Sequence, residues 1–236
     1  MSETPTRPST DSALEAVEAR VSAALDPVKP KLRGWLHAGM APNAVVCGIV
    51  LVALSPSQYR WAALVYSLSA ILLFGVSATY HRFTWSPTTT VMLKRLDHSN
   101  IFLIIAGSYT PFAVALLPAD QAKTLLILGW SGAIAGVLFR VFWVGAPRWL
   151  YTPIYIALGW VAVFYLPAFW EAGGPAVVLL LAAGGLCYSA GGVVYALKRP
   201  NPSPTWFGFH EVFHALTLAG FITQYIAVSL VLYSAR

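Results

Sequence analysis

Three of the five histidines in this 236-residue chain have the side-chain type and the spacing of metal ligands. His210 and His214 open an apolar segment four residues apart, so their side chains share one face of a helix. His81 ends a second apolar segment, and Asp97 opens a third. Ionisable side chains are costly inside a lipid bilayer and usually mark a functional site there. We therefore predict that His81, His210 and His214 hold one metal ion, with zinc as the expected cofactor.

Such a site would suit hydrolysis. Three imidazoles leave one position of a tetrahedral zinc open, as in catalytic zinc sites, and zinc lowers the pKa of a bound water to about 7. Asp97 is predicted to hold this water or to take its proton. Ser77 lies one helical turn before His81 and is predicted to stabilise an oxyanion or to brace a histidine. Imidazole also suits copper, iron and nickel, so the spacing alone leaves the metal open.

Other interpretations of these residues stay open at the level of sequence. Asp97 could cap the helix of the third apolar segment, and Ser77 could be a small packing residue. His37 and His98 are expected to be structural or interfacial. Glu211 completes the pattern His-Glu-x-x-His, in which metalloproteases use the glutamate as general base. An intramembrane metalloprotease is therefore an alternative. We favour a role in which Glu211 does not bind the metal but supports the histidines that do.

The composition indicates that membrane helices must position these residues. Hydrophobic residues make up 58% of the chain and charged residues 10%, and the mean hydropathy is +0.67. A soluble domain carries about a quarter charged residues, whereas a membrane-spanning helix needs about 20 apolar ones. Seven such stretches occur, at about 35–54, 61–81, 98–117, 123–143, 151–170, 175–197 and 207–233. The predicted fold is an all-α membrane protein with a seven-transmembrane-helix bundle.

The basic residues predict how this bundle is oriented. With the N-terminus in the cytoplasm, ten lysines and arginines flank the spans on the inner side and three on the outer side. This asymmetry favours a cytoplasmic N-terminus and an external C-terminus in the plasma (inner) membrane. It also explains the net charge of +6 without a nucleic-acid partner. In this orientation His81, Asp97, His210 and His214 all lie near the cytoplasmic face.

Two regions are predicted along the chain. Residues 1–33 form a cytoplasmic tail in which Leu14, Val17, Val21 and Leu25 have the spacing of a short amphipathic helix. Residues 34–236 form the seven-helix transmembrane domain with the buried metal site.

Four segments carry a resemblance to a known family. They are Ser77-Ala-Thr-Tyr-His81, Leu96-Asp97-His98-Ser99, Ala106-Gly107-Ser108-Tyr109-Thr110-Pro111 and Phe209-His210-Glu211-Val212-Phe213-His214. Together they resemble the hemolysin III family, the bacterial branch of the progestin and adipoQ receptor family, over about residues 35–233. The resemblance implies a zinc held by His81, His210 and His214, with Asp97 reaching it through water and Ser77 as the family's serine. The wider superfamily includes alkaline ceramidases, which hydrolyse lipid amides, and its bacterial members are associated with membrane-lipid homeostasis.

The function expected from residues and resemblance together is zinc-dependent hydrolysis of a lipid amide or ester. The predicted partner is a membrane lipid or fatty-acyl substrate. The alternatives are a receptor or sensor with a structural zinc, and the metalloprotease described above. A pore or transporter is disfavoured because the ionisable residues cluster at one side of the predicted bundle instead of crossing it.

Overall fold

The computed structural model describes residues 29–143 and 145–235, and the predicted tail helix lies outside these residues. Seven α-helices follow one another along the described chain. They are α1 (Trp35–Leu54), α2 (Arg60–Arg82), α3 (Pro87–Leu116), α4 (Ala119–Phe142), α5 (Arg148–Gly159), α6 (Leu166–Leu197) and α7 (Phe209–Ser234). Short 3-10 turns, Ser57–Tyr59 and Val161–Tyr165, precede α2 and α6. Within the described residues, the only β pairing is an isolated bridge between Ser203 and Phe207.

The outer surface of the helices is apolar, as lipid contact requires. Phe142 and Phe164 are 81% and 82% exposed, whereas polar residues such as Asn100 and Thr110 are buried. Six helical segments of the described chain are long and apolar enough to cross a membrane. They are Trp35–Leu54, Ser57–Arg82, Pro87–Leu116, Ala119–Phe142, Arg148–Leu197 and Phe209–Ser234. The chain is therefore an all-helical, multi-pass membrane protein.

The segment Arg148–Leu197 folds back on itself. It has 50 residues, which as one straight helix would extend about 75 Å, far more than the roughly 30 Å of a bilayer core. Gly174 interrupts α6 with a φ of 78°, a conformation that glycine adopts without a steric penalty. Across the fold, the hydroxyls of Tyr151 and Tyr195 lie 3.2 Å apart, and Trp160 Nε1 donates to Ser189 Oγ at 2.9 Å. The two halves of the segment are therefore antiparallel. Seven crossings stay a prediction.

Helix α3 begins earlier than the sequence analysis predicts. The third span was expected at 98–117, but α3 starts at Pro87. The Ser86 hydroxyl accepts a hydrogen bond from the backbone N–H of Thr89 at 3.3 Å, and a proline suits the first helical position. Asp97 consequently lies in the interior of α3, nearly three turns beyond its start. The interpretation of Asp97 as a helix cap is wrong.

Close helix packing brings the separate polar residues together. Helix α7 packs along α6 and also contacts α1 and α3, which closes the bundle. Glycine allows the closest approaches: a Cβ at Gly136 of α4 would lie 2.3 Å from the Phe102 ring of α3, and one at Gly220 would lie 2.9 Å from the Tyr188 ring. The end of α2, the interior of α3 and the start of α7 therefore meet in one region.

Candidate metal centre

Three buried imidazoles converge in this region. His81 lies in the last turn of α2, and His210 and His214 lie in the first two turns of α7. Their exposed fractions are 6%, 9% and 2%. One nitrogen of each ring lies within 4.8 Å of the other two, and the Nε2 atoms of His81 and His210 are 3.2 Å apart. The structure thus brings together the three histidines that the sequence analysis proposed as ligands.

The spacing of these nitrogens fits a tetrahedral metal site. Zinc–nitrogen bonds of about 2.0–2.1 Å separate two ligand atoms of a tetrahedron by about 3.3 Å. The His81–His210 separation of 3.2 Å is close to this value. Among the described residues, no other group of three or more histidine, cysteine or acidic side chains is close enough to hold an ion. The cluster can therefore hold a metal, and imidazole is a common zinc ligand.

Asp97 and Ser77 lie beside the cluster. Asp97 Oδ2 is 3.6 Å from His81 Nε2, but the carboxylate is not a member of the three-residue group. Ser77 is buried on α2, one turn before His81. Both residues border the same cavity as His210 and His214. This arrangement suits a carboxylate that acts on a molecule bound next to the imidazoles.

The cavity extends from His210 and His214 into the apolar interior of the bundle. Its volume is about 260 Å³. Along α7 it runs from His210 to Gln224, which corresponds to about 21 Å of helix. Most of its wall is apolar, with Ile104 and Phe112 among the lining residues. Leu186 also lines it and is 60% exposed, so the cavity reaches the apolar outer surface of the bundle.

His37 lies next to the cluster. It is buried in the first turn of α1, which agrees with the expected structural role, but its stacking on His214 was not predicted. The two ring centroids are 3.8 Å apart and the ring planes differ by 10°. The sequence did contain a signal for this proximity. His37 lies near the start of the first apolar segment, on the same predicted side of the membrane as the other histidines.

His98 has a structural role, as expected. Its Nδ1 lies 2.7 Å from the carbonyl oxygen of Lys94 and must donate to it, because a carbonyl only accepts. In the neutral ring Nε2 then accepts from the Tyr195 hydroxyl, which lies 3.3 Å away. Tyr155 also donates to the His98 carbonyl at 3.2 Å. These bonds tie α3 to α5 and α6 next to Asp97.

Glu211 anchors the start of α7. One carboxylate oxygen accepts from the backbone N–H of Gly208 at 2.8 Å, and the other accepts from Nε of Arg33. The side chain is 1% exposed. Because both oxygens are engaged, Glu211 is not positioned as a free general base, and the metalloprotease alternative loses its support. Glu211 instead stabilises the start of the helix that carries the candidate ligands His210 and His214.

The Arg33–Glu211 pair gives a testable prediction. We expect Arg33→Met to lower the free energy of unfolding by about 3 kcal/mol, because it leaves the buried Glu211 carboxylate without its cationic partner. The double variant Arg33→Met, Glu211→Gln is expected to recover most of this loss, since no charge is then left buried. Denaturant unfolding of the purified protein in detergent measures both. Equal losses in the single and double variants would contradict the assignment.

The comparisons with known proteins agree with this architecture. The Haemolysin-III related family matches residues 26–225. A Hemolysin-3 homolog of Bacillus subtilis (strain 168) is 31% identical over 165 residues, which are 70% of this chain and 74% of the relative. Hemolysin-3 of Bacillus cereus is 27% identical over 206 residues, 85% of this chain and 91% of the relative. A heptahelical transmembrane protein ADIPOR2 of Oryza sativa subsp. japonica is 30% identical over 190 residues, 73% of this chain and 82% of the relative.

The family match includes all seven helices of the described chain except the last residues of α7. It contains the end of α2, the interior of α3 and the start of α7, which build the histidine cluster. The match thus covers both the bundle and the candidate site. This multi-pass membrane protein belongs to the Haemolysin-III related family.

Proposed function

We propose that this protein is a metal-dependent hydrolase that cleaves the amide or ester bond of a membrane lipid. One observation carries the proposal: Asp97 and two histidines of the cluster, His210 and His214, line one end of a largely apolar cavity that reaches the outer surface of the bundle. The apolar walls suit an acyl chain. The polar end suits the carbonyl group at the head of that chain, next to Asp97 and Ser77.

In this proposal each side chain has a defined task. His81, His210 and His214 would hold a zinc ion, which when bound supplies a Lewis acid for the carbonyl and lowers the pKa of water. Asp97 accepts the proton of the attacking water and passes it to the leaving amine or alcohol. The Ser77 hydroxyl donates a hydrogen bond to the carbonyl oxygen as that oxygen gains negative charge. The apolar lining keeps bulk water away from the reacting bond.

A lipid panel tests the proposal. Purified protein, metal-free or loaded with zinc, is incubated separately with ceramides, N-acylethanolamines and phospholipids, and released fatty acid is measured by mass spectrometry. We expect release from at least one class, and only with zinc present. A protein that retains zinc but releases fatty acid from none of them would contradict the proposal and favour a receptor with a structural metal.

We also propose seven crossings in the plasma membrane, with the N-terminus in the cytoplasm. The fold-back at Gly174 supports two crossings for Arg148–Leu197, and the excess of basic residues on one side supports the orientation. The rice relative is named heptahelical, which agrees with this count. Residues 1–33 would then be a cytoplasmic tail and 34–236 the membrane domain. The histidine cluster would lie in the inner leaflet.

Reporter fusions test this topology. We expect a C-terminal alkaline phosphatase, which is active only outside the cytoplasm, to be active in a bacterial host. A green fluorescent protein fused after Pro200, in the connection between α6 and α7, should fluoresce because that connection would be cytoplasmic. If the C-terminus instead supports a fluorescent green fluorescent protein and an inactive phosphatase, seven crossings with a cytoplasmic N-terminus would be contradicted.

A further inference from the structure

The start of α1 contacts the elements that carry all three candidate ligands. Arg33 pairs with Glu211, which lies between His210 and His214 in α7. We infer that residues 33–37, here called the N-terminal clasp, position the metal ligands, with His37 as the main positioning residue. The inference rests on the metal centre of the proposed function but does not require lipid hydrolysis.

His214 shows why a positioning residue is needed. A metal-bound histidine usually donates its second ring nitrogen to a carboxylate or carbonyl, which fixes the orientation of the ring. Within the described residues, neither ring nitrogen of His214 makes a hydrogen bond. The Nε2 of His81, in comparison, lies 3.2 Å from Nε2 of His210 and 3.6 Å from the Asp97 carboxylate, so this ring has polar neighbours that His214 lacks. The orientation of His214 must therefore be set by packing.

Stacking on His37 supplies that packing. The near-parallel rings, with centroids 3.8 Å apart, restrict rotation of the His214 ring out of its plane. His37 in turn makes a T-shaped contact with Phe74, with ring centroids 5.1 Å apart and planes at 89°. Its own ring nitrogens have no hydrogen-bond partner in the described residues, and it is not a member of the group of three. His37 therefore acts through the face of its ring.

Gly34 gives the clasp its second contact. Its φ of 79° is in the left-handed region, and a Cβ on it would lie 2.6 Å from the Cβ of His81. Only glycine allows the backbone to approach His81 this closely. One short segment thus contacts His81 through Gly34, His214 through His37, and the helical turn between His210 and His214 through Arg33.

Zinc affinity of position 37 variants tests the inference. The full-length protein in detergent is titrated with zinc against a chromogenic chelator, and unfolding of the metal-free protein is measured in parallel. We expect His37→Leu, which removes the aromatic face, to weaken zinc binding about tenfold. His37→Phe, which keeps the face but not the nitrogens, should retain an affinity close to that of the wild type. The control Phe221→Leu alters a buried ring packed on Phe74 and should lower stability without changing zinc affinity.

The other outcomes separate the clasp from the metal centre and from the proposed function. Wild-type affinity in His37→Leu, or an equal loss in His37→Phe, would overturn the role of the stacked ring. If His37→Leu does not fold, Gly34→Ala is compared with Gly48→Ala, a tight glycine farther along α1, and only Gly34→Ala should weaken zinc binding. No zinc binding by the wild type would overturn the inference together with the metal centre. Zinc binding without lipid hydrolysis would overturn the proposed function alone.

Discussion

Asp97→Asn is expected to reduce lipid hydrolysis by about 10²- to 10⁴-fold, the usual contribution of a general acid–base residue. Asparagine has nearly the same shape as aspartate but cannot accept the proton of the attacking water. The zinc content should stay unchanged, because Asp97 lies beside the group of three imidazoles and is not a member of it. Initial rates of fatty-acid release, measured with the best lipid of the panel, give the result.

Glu211→Gln is the matched control for this variant. It also neutralises a carboxylate close to the ligands, but that carboxylate already accepts hydrogen bonds from Arg33 and Gly208. We expect Glu211→Gln to lower stability and to keep most of the activity per folded molecule. Loss of activity in Glu211→Gln with full activity in Asp97→Asn would contradict this assignment. It would make Glu211 the general base, as in the His-Glu-x-x-His pattern of metalloproteases.

Zinc is expected to stabilise the folded protein strongly. A ligand that binds only the folded state raises the free energy of unfolding by about 2.7 kcal/mol at 100 times its dissociation constant. In the folded bundle the imidazoles of α2 and α7 lie close enough to hold one ion, whereas in the unfolded chain 129 residue positions separate His81 from His210. We therefore expect His214→Ala to abolish the stabilisation by added zinc. Thermal unfolding in detergent, with and without zinc, measures this difference.

His98→Ala serves as the control for this prediction. His98 is a buried histidine next to Asp97, but its nitrogens are bonded to Lys94 and Tyr195. Its removal should lower stability in both conditions and leave the increment from zinc intact. The same increment in His214→Ala as in the wild type would show that zinc binds elsewhere.

The convergence of His81, His210 and His214 could be predicted because its signals lie in the sequence around each histidine. The i,i+4 spacing of His210 and His214 fixes a shared helix face, and histidines at the ends of apolar segments are informative in a membrane protein. His37 could not be assigned in the same way. Its role depends on how closely α1 approaches α7, and that distance is a property of the packed bundle.

The start of α3 shows that hydropathy alone does not predict where a membrane helix begins. The sequence contains a good helix start, Ser86-Pro87, but hydropathy places the span only where the apolar residues begin. The first three turns of α3 carry threonines and the basic residues Lys94 and Arg95, so they do not count as apolar. The helix forms there because capping and the proline favour it, independently of the bilayer. Because α3 starts at Pro87 and not near residue 98, Asp97 lies in the interior of the helix and not at its end.

The central claim is that three imidazoles hold one ion, and metal content tests it most directly. Wild type, His210→Ala and His98→Ala are purified under identical conditions with zinc and then dialysed, and their metals are measured by inductively coupled plasma mass spectrometry. We expect one zinc ion per chain in the wild type and in His98→Ala, and none in His210→Ala. A wild type without metal, or a His210→Ala variant with as much zinc as the wild type, would contradict the account.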